Sequence, residues 1–423
     1  MNSLQRKLDA AIRRNFFSDY QLSVRGSRHM DIWGGHFQSQ FRGAKLFDIS
    51  SITKALAYLV MLKLFNSGAL SPETFFETIL PNVPNTNGRQ LRHFMSYVVQ
   101  EYGFDFRGLK HGTVGPFKKT LLEQGFGTWK KNFDHDNFSS AFVGLALEKI
   151  FGMDIEEILH KELCEDKYQM DNLLFHPVRR GLVRPEFVVP SKWDLSVRGL
   201  VHDPLSASHQ DEHIVAAGVF SRASVLADIF HETIGQFIKS GFYKVMSANQ
   251  LEGFGIPKDE HDYGLGFDIP WQRSLEGVTV KNPLLFAGFT GCRIFFAEEP
   301  RITVCLLTNR TFYRDKEDTR IDFSAFAWDI IREAIQRGGG GGGGSNSTSF
   351  VLYVCSVYSI HVREKLRVLL SCQEKPVTRC KKSSSNCRGI TEKLSSACVG
   401  GVWQGNGFSD MYARGFGVRR DCE

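Results

Sequence analysis

The chain has 423 residues, 42% of them hydrophobic and 23% charged, with a formal net charge of +6. These are the values of a soluble globular protein with ample material for a core. They exclude a membrane span, because the longest apolar run, starting at Ala55, is broken by Lys63 and ends near Leu70.

Taken in chain order, "MNSLQRKLDAAIRRNFF" reads as a charged amphipathic helix without the apolar centre of a signal peptide, and predicts a cytoplasmic protein. "YQLSVRGSRHMDIWGG", Tyr20 to Gly35, has two β-like runs around Gly26–Ser27 and predicts a hairpin. "LFDISSITKALAYLVMLKLF" sets Ser51 three residues before Lys54, at the start of a helix with a core stripe of Leu59, Leu62 and Phe65. Residues from about 50 to 200 read mostly as helix and loop. "GCRIFFAEEPRITVCLLTNR" predicts a second hairpin, with strands at Arg293–Phe296 and Ile302–Leu307. "DFSAFAWDIIREAIQR", Asp322 to Arg337, has Phe323, Phe326, Ile330, Ile331 and Ile335 at helical spacing.

Seven glycines, Gly338 to Gly344, end that helix and form a flexible linker. Residues 346–423 carry 12 basic against 6 acidic residues, so the whole positive excess lies in this tail. Six of the nine cysteines are there too: Cys355, Cys372, Cys380, Cys387, Cys398 and Cys422. Their spacing fits no zinc module, and the segment reads as a disordered basic tail or as an extension never selected to fold. Cys164, Cys292 and Cys305 are scattered, as expected of reduced, buried thiols.

Strands at both ends with helices between predict an α/β (α+β) fold: an antiparallel sheet flanked by helices, with a mostly helical insertion. The α/β part is expected over about 1–65 and 200–337, and the helical part over about 66–199.

The segment "FDISSITKALAYLVMLKLFNSGALSPE" resembles the nucleophile segment of the serine β-lactamase, penicillin-binding protein and esterase superfamily, in its class C-like branch. "NFDHDNFSSAFVGLALEKIFGMDIEEIL" is similar to the helix of the second motif, and "VHDPLSA" with "AAGVFSRASVLADI" to the segment that follows the insertion. "YGLGFDI" looks like the strand before the third motif, and "FAGFTGCRIFF" with "ITVCLLTNR" like the terminal hairpin. The five segments keep the family's order over roughly residues 15–337.

The resemblance implies acyl transfer to Ser51, with Lys54 on the same helical face as the group that takes its proton. It also implies an oxyanion hole made of the backbone N–H groups of Ser51 and Phe289. Alternatively, Ser51 caps the helix and Lys54 is a solvated charge. Two motif positions depart from the pattern. The tyrosine of the second motif, Y-x-N or Y-S-D, falls on Phe133 in one register and on Asn132 in another. The third motif, H-T-G or K-T-G, falls on Phe286-Ala287-Gly288, or three residues later on Phe289-Thr290-Gly291. His135 is the chemically best substitute for the lost tyrosine, ahead of Asp134, Lys130 and Lys131, because imidazole titrates near neutrality. The bland alternative for His135 is a loop histidine. Adjacent residues of "DHD" cannot converge on one ion, so neither metal nor cofactor is expected. His202-Asp203 is expected to buttress a loop near the site.

Two phenylalanines in place of polar groups predict an apolar pocket, suited to a small hydrophobic acyl ester rather than a peptidoglycan peptide. The expected activity is that of a serine hydrolase. The alternative is a pseudoenzyme that keeps the pocket to bind a small molecule or a partner protein. A nucleic-acid role rests only on the basic tail, so no specific nucleic-acid partner is expected.

Overall fold

The computed structural model describes residues 3–37, 45–86, 88–98, 116–127, 133–192, 194–256, 262–313 and 317–339. The tail and all but the first two glycines of the linker lie outside these residues, as do Lys130, Lys131 and Asn132.

Helix α1 (Ser3–Arg13) is followed by β1 (Asp19–Arg25) and β2 (Met30–Gly35), which pair antiparallel as the hairpin expected from the sequence. Near the other end, β6 (Leu284–Ala287), β7 (Arg293–Ala297) and β8 (Ile302–Thr308) form an antiparallel meander. β8 returns to pair with β1, giving one five-stranded sheet in the order β2-β1-β8-β7-β6. Chain segments almost 300 residues apart thus meet at the centre of the sheet.

The central strands β1 and β8 are buried along their whole length, so both faces of the sheet are covered. Alternation decides which face each residue serves. Ile302, Val304 and Leu306 join Leu4, Leu8 and Ile330 on the side of α1 and the C-terminal helix. Cys305 and Leu307 join the larger core on the opposite side. A helix over Ala223–Ser240 packs across β1 and β8 on that side.

A second sheet of three short strands was not evident in the sequence: β3 (Phe47–Asp48), β5 (Val219–Ser221) and β4 (Leu173–Phe175), in that order. β3 leads directly into helix α2 (Ile52–Asn66). Helix α3 (Phe138–Phe151) and α4 (Ile155–Leu163) pack against α2.

Three expectations need correction. Helix α2 buries Leu59, Leu62 and Phe65 as expected, but not as a single stripe: Ile52 through Leu62 are all buried, as are Leu64 and Phe65, because other elements surround it on every side. "YGLGFDI" forms no extended strand. Its Tyr263↔Asp268 bridge bends it back on itself, with Gly266 at φ +85°, and the Asp268↔Leu285 bridge joins it to β6. The C-terminal helix α5 spans Glu317–Gly338, so it starts before Asp322 and takes in the first glycine.

Asn309, at the end of β8, is the most heavily bonded side chain joining the two chain ends. Its Oδ1 accepts the backbone N–H groups of Ser18 and Asp19, both at 3.0 Å. Its Nδ2 donates to Ser18 Oγ at 2.7 Å and to the Pro190 carbonyl at 2.8 Å. All of these groups are buried away from water. Asn309→Ala is therefore expected to cost about 3–5 kcal/mol, since several buried donors and acceptors lose their partner at once. A urea unfolding midpoint equal to that of the wild type would contradict this.

Candidate active site

The site forms where the turn into α2 meets three other segments: the end of β6, the loop before α3, and the 202–203 loop. Ser51 takes the N-cap position of α2, with φ −62° and ψ −9°. Its hydroxyl makes no capping hydrogen bond, so the reading of Ser51 as an ordinary helix cap lacks the bond that defines one. The side chain sits at the helix N-terminus with 8% of its surface exposed. There the free N–H groups and helix dipole favour developing negative charge.

Lys54, one turn later, is fully buried. Its Nζ donates to the main-chain carbonyl of Asp136 at 3.2 Å. Among the described residues no carboxylate lies within ion-pairing distance of it. Burial pushes its ammonium down to about 8, against the pull of Asp136 and Asp203. About a tenth to a fifth of Lys54 is therefore neutral near physiological pH, far more than of a solvated lysine.

The loop before α3 carries His135, Asp136 and Asn137. Asp136 Oδ1 accepts the N–H groups of Phe138 and Ser139, and Oδ2 accepts the Ser139 hydroxyl. The carboxylate is thus spent on starting α3, which fixes the carbonyl that Lys54 uses. Asn137 Nδ2 donates to Asp203 Oδ2 at 3.3 Å and ties this loop to the 202–203 loop. The His135 ring lies 4.3 Å from that of Tyr97 and 6.3 Å from that of Phe286, centroid to centroid. Phe133 instead packs against Tyr97 and Tyr263.

Phe286 lies on β6, is 1% exposed and meets the rings of Tyr58 and Phe267. Of the two registers for the third motif, Phe286-Ala287-Gly288 runs off the end of the strand, whereas Phe289-Thr290-Gly291 lies in the turn to β7. Gly288 passes so close to the segment before Ser51 that a Cβ there would come within 2.8 Å of the Ile49 carbonyl. The Phe289 N–H donates to Ser50 Oγ at 3.2 Å. On the far side of the turn, Arg293 Nη1 donates to the carbonyls of Gly288 and Cys292, and Arg310 Nη2 to that of Phe289. Two arginines thus hold these carbonyls away from the site, leaving the Phe289 N–H aimed at the start of α2. The Phe289 ring stacks on His202 at 5.3 Å.

Sequence reasoning missed Tyr58, Tyr97, Asp48 and Ser50. Tyr58 donates its hydroxyl to Tyr97 at 2.9 Å, and burial holds both phenols well above their usual range. The spacing of Tyr58 four residues after Lys54 was a usable signal. Ser50 and Tyr97 sit in turns and Asp48 ends a two-residue strand, where no periodicity points to them. Among the described residues, no group of three or more His, Cys, Asp or Glu side chains is placed to hold a metal ion.

A sequence model of the Beta-lactamase family matches residues 21–326. The chain belongs to the beta-lactamase family. No curated protein sequence matches it significantly. Solved structures of similar fold include a penicillin-binding protein homologue from Caulobacter crescentus, with TM-score 0.56 and 14% identity, covering 79% of this chain and 98% of that one. A simvastatin synthase mutant from Aspergillus terreus has TM-score 0.56 and 13% identity, covering 79% and 95%. EstCE1, described as a hydrolase with promiscuous acyltransferase activity, has TM-score 0.54 and 15% identity, covering 78% and 97%. At such identities the likeness is one of fold. The family match and these structures agree on a beta-lactamase-like fold. Among the described residues, no helix is long and apolar enough to cross a membrane.

Proposed function

We propose that this beta-lactamase family member is a serine hydrolase of small hydrophobic acyl esters, with Ser51 as nucleophile and Lys54 as base. The observation that carries the reading is the pair itself: an uncapped serine hydroxyl at a helix N-terminus, three residues from a buried lysine with a depressed pKa.

In the first step the Ser51 Oγ–H proton passes to neutral Lys54 as Oγ bonds to the ester carbonyl carbon. The carbonyl π electrons move onto oxygen, where the N–H groups of Ser51 and Phe289 receive the charge. Collapse expels the alcohol, which needs a proton. His135-Asp136-Asn137 has the Y-x-N spacing with imidazole in the tyrosine's place, and His135 supplies that proton. With the alcohol gone, the proton held by Lys54 passes to His135, which restores both groups. Water then attacks the acyl carbonyl, and Lys54 takes a proton from it and returns that proton to Ser51 Oγ as the acid leaves. Phe286 and Phe289 stand in the two registers where the family's third motif has a polar residue, and the Phe289 ring lies against His202 beside the site, which favours an apolar acyl chain over a charged peptide. The acyl chemistry stated for EstCE1 supports the same class.

Hydrolysis of p-nitrophenyl esters by the full chain, with acyl chains from acetyl to octanoyl, tests the substrate class. Activity favouring butanoyl or longer acyl groups is expected. Hydrolysis of a penicillin but of none of the esters would overturn the ester reading.

One observation favours a second reading, a pocket that binds without turnover: the Phe289 N–H is already taken by Ser50 Oγ. A ligand that stabilises the wild type and Ser51→Ala equally, with no ester turned over, would decide for it.

A further inference from the structure

Asp48 ends β3, three residues before Ser51, with 3% of its surface exposed. Its Oδ1 accepts the Ser50 N–H at 2.9 Å, and its Oδ2 accepts the His202 N–H at 2.7 Å. Its main-chain carbonyl accepts the Thr290 hydroxyl at 2.9 Å. One residue therefore joins the turn into α2, the 202–203 loop and the turn after β6. These are three of the four segments that make the site.

The turn that Asp48 holds is not one a serine adopts freely. Ser50 has φ +51°, in the left-handed region that costs a residue with a side chain about 1 kcal/mol or more. The hydroxyl of that same Ser50 meets the Phe289 N–H. We propose that Asp48 is a positioning residue: its ionised carboxylate holds Ser50 in the left-handed turn, and thereby sets Ser51 against the Phe289 N–H. This rests on the hydrolase reading above only for its catalytic consequence; the tie itself does not.

Two N–H donors on two different oxygens are met best by a carboxylate. A protonated carboxyl accepts only weakly on its hydroxyl oxygen, and an asparagine turns its amide N–H toward one of the two donors. Burial raises Asp48 to about 6, against the pull of the His202 and Ser50 N–H groups. The charged groups facing it are Asp203, which pushes it further up, and Lys192, which pulls it down. The nearby Cys292 thiol, raised by burial to about 11, stays neutral. The tie is therefore intact above about pH 6 and released below it.

The test pairs hydrogen exchange with labelling, on the full chain. In the wild type, exchange at the Ser50 and His202 amides, corrected for intrinsic rates, should rise about tenfold below about pH 6. Asp48→Asn should show the raised exchange at every pH, while the amides of the Ala223–Ser240 helix stay protected. Fluorophosphonate labelling of Ser51, which falls with the Lys54 base below about pH 8 in both chains, should fall more steeply below about pH 6 in the wild type, and the Asp48→Asn variant should lack that steepening. Ser50→Gly added to Asp48→Asn should recover part of the labelling, because glycine adopts the left-handed turn without strain. Exchange at Ser50 and His202 that ignores both pH and Asp48→Asn would overturn the inference. Exchange as expected, in a wild type that takes no label, would leave the tie standing and overturn the hydrolase reading instead.

Discussion

Lys54→Met is expected to slow acylation of Ser51 by about 10³-fold at neutral pH, with little loss of folding stability. The magnitude is that of removing a positioned general base. Stability should hold because methionine fills a similar volume and no carboxylate is left unpaired in the interior. The same account fixes a pH dependence. Lys54 is depressed from 10.5 to about 8, so its fraction as a neutral base rises as pH increases through 8. Wild-type acylation should therefore climb through that range and level off above it. The variant should show no inflection there. A wild-type rate that is flat between about pH 7 and 9 would remove Lys54 as the base.

The second large effect concerns His135. Its ring lies between those of Tyr97 and Phe286, beside the loop carbonyl that holds Lys54. If it protonates the departing alcohol, His135→Phe should lower turnover of an alkyl ester by about 10²- to 10³-fold. A p-nitrophenyl ester should suffer far less, because its leaving group departs as a stable anion and needs no proton. His135→Tyr should keep much of the alkyl-ester activity, since a phenol restores the group that the family's second motif supplies. Equal losses on both esters would mean that His135 only packs the wall of the site.

The outer frame of the fold was legible from two pairs of β-rich runs around turns. Tyr20–Arg25 alternates apolar and polar residues, Arg293–Leu307 has two apolar runs around its turn, and both hairpins form where expected. Helix α2 could not be read so well, since a helix buried all round has no amphipathic stripe from which to infer its orientation. The second sheet escaped notice because strands of two or three residues are too short to show alternation. At the site, Ser51 and Lys54 could be named through the resemblance of five segments in order, which the S-x-x-K spacing alone would not have done. Asp48, Ser50 and Tyr97 could not, because their roles depend on turns. Tyr97 reaches the site with φ +55° and Ser50 with φ +51°, conformations that local sequence does not announce. The Phe289 N–H could be named from the resemblance, but its engagement by Ser50 is a tertiary contact between residues 239 positions apart.

The central claim is that Ser51 is a working nucleophile. Intact-mass analysis of the full chain treated with a fluorophosphonate, beside Ser51→Ala, tests it most directly. One adduct is expected on the wild type, mapped to Ser51, and none on the variant. A folded wild type that takes no adduct, or a Ser51→Ala chain labelled at the same rate, would contradict it.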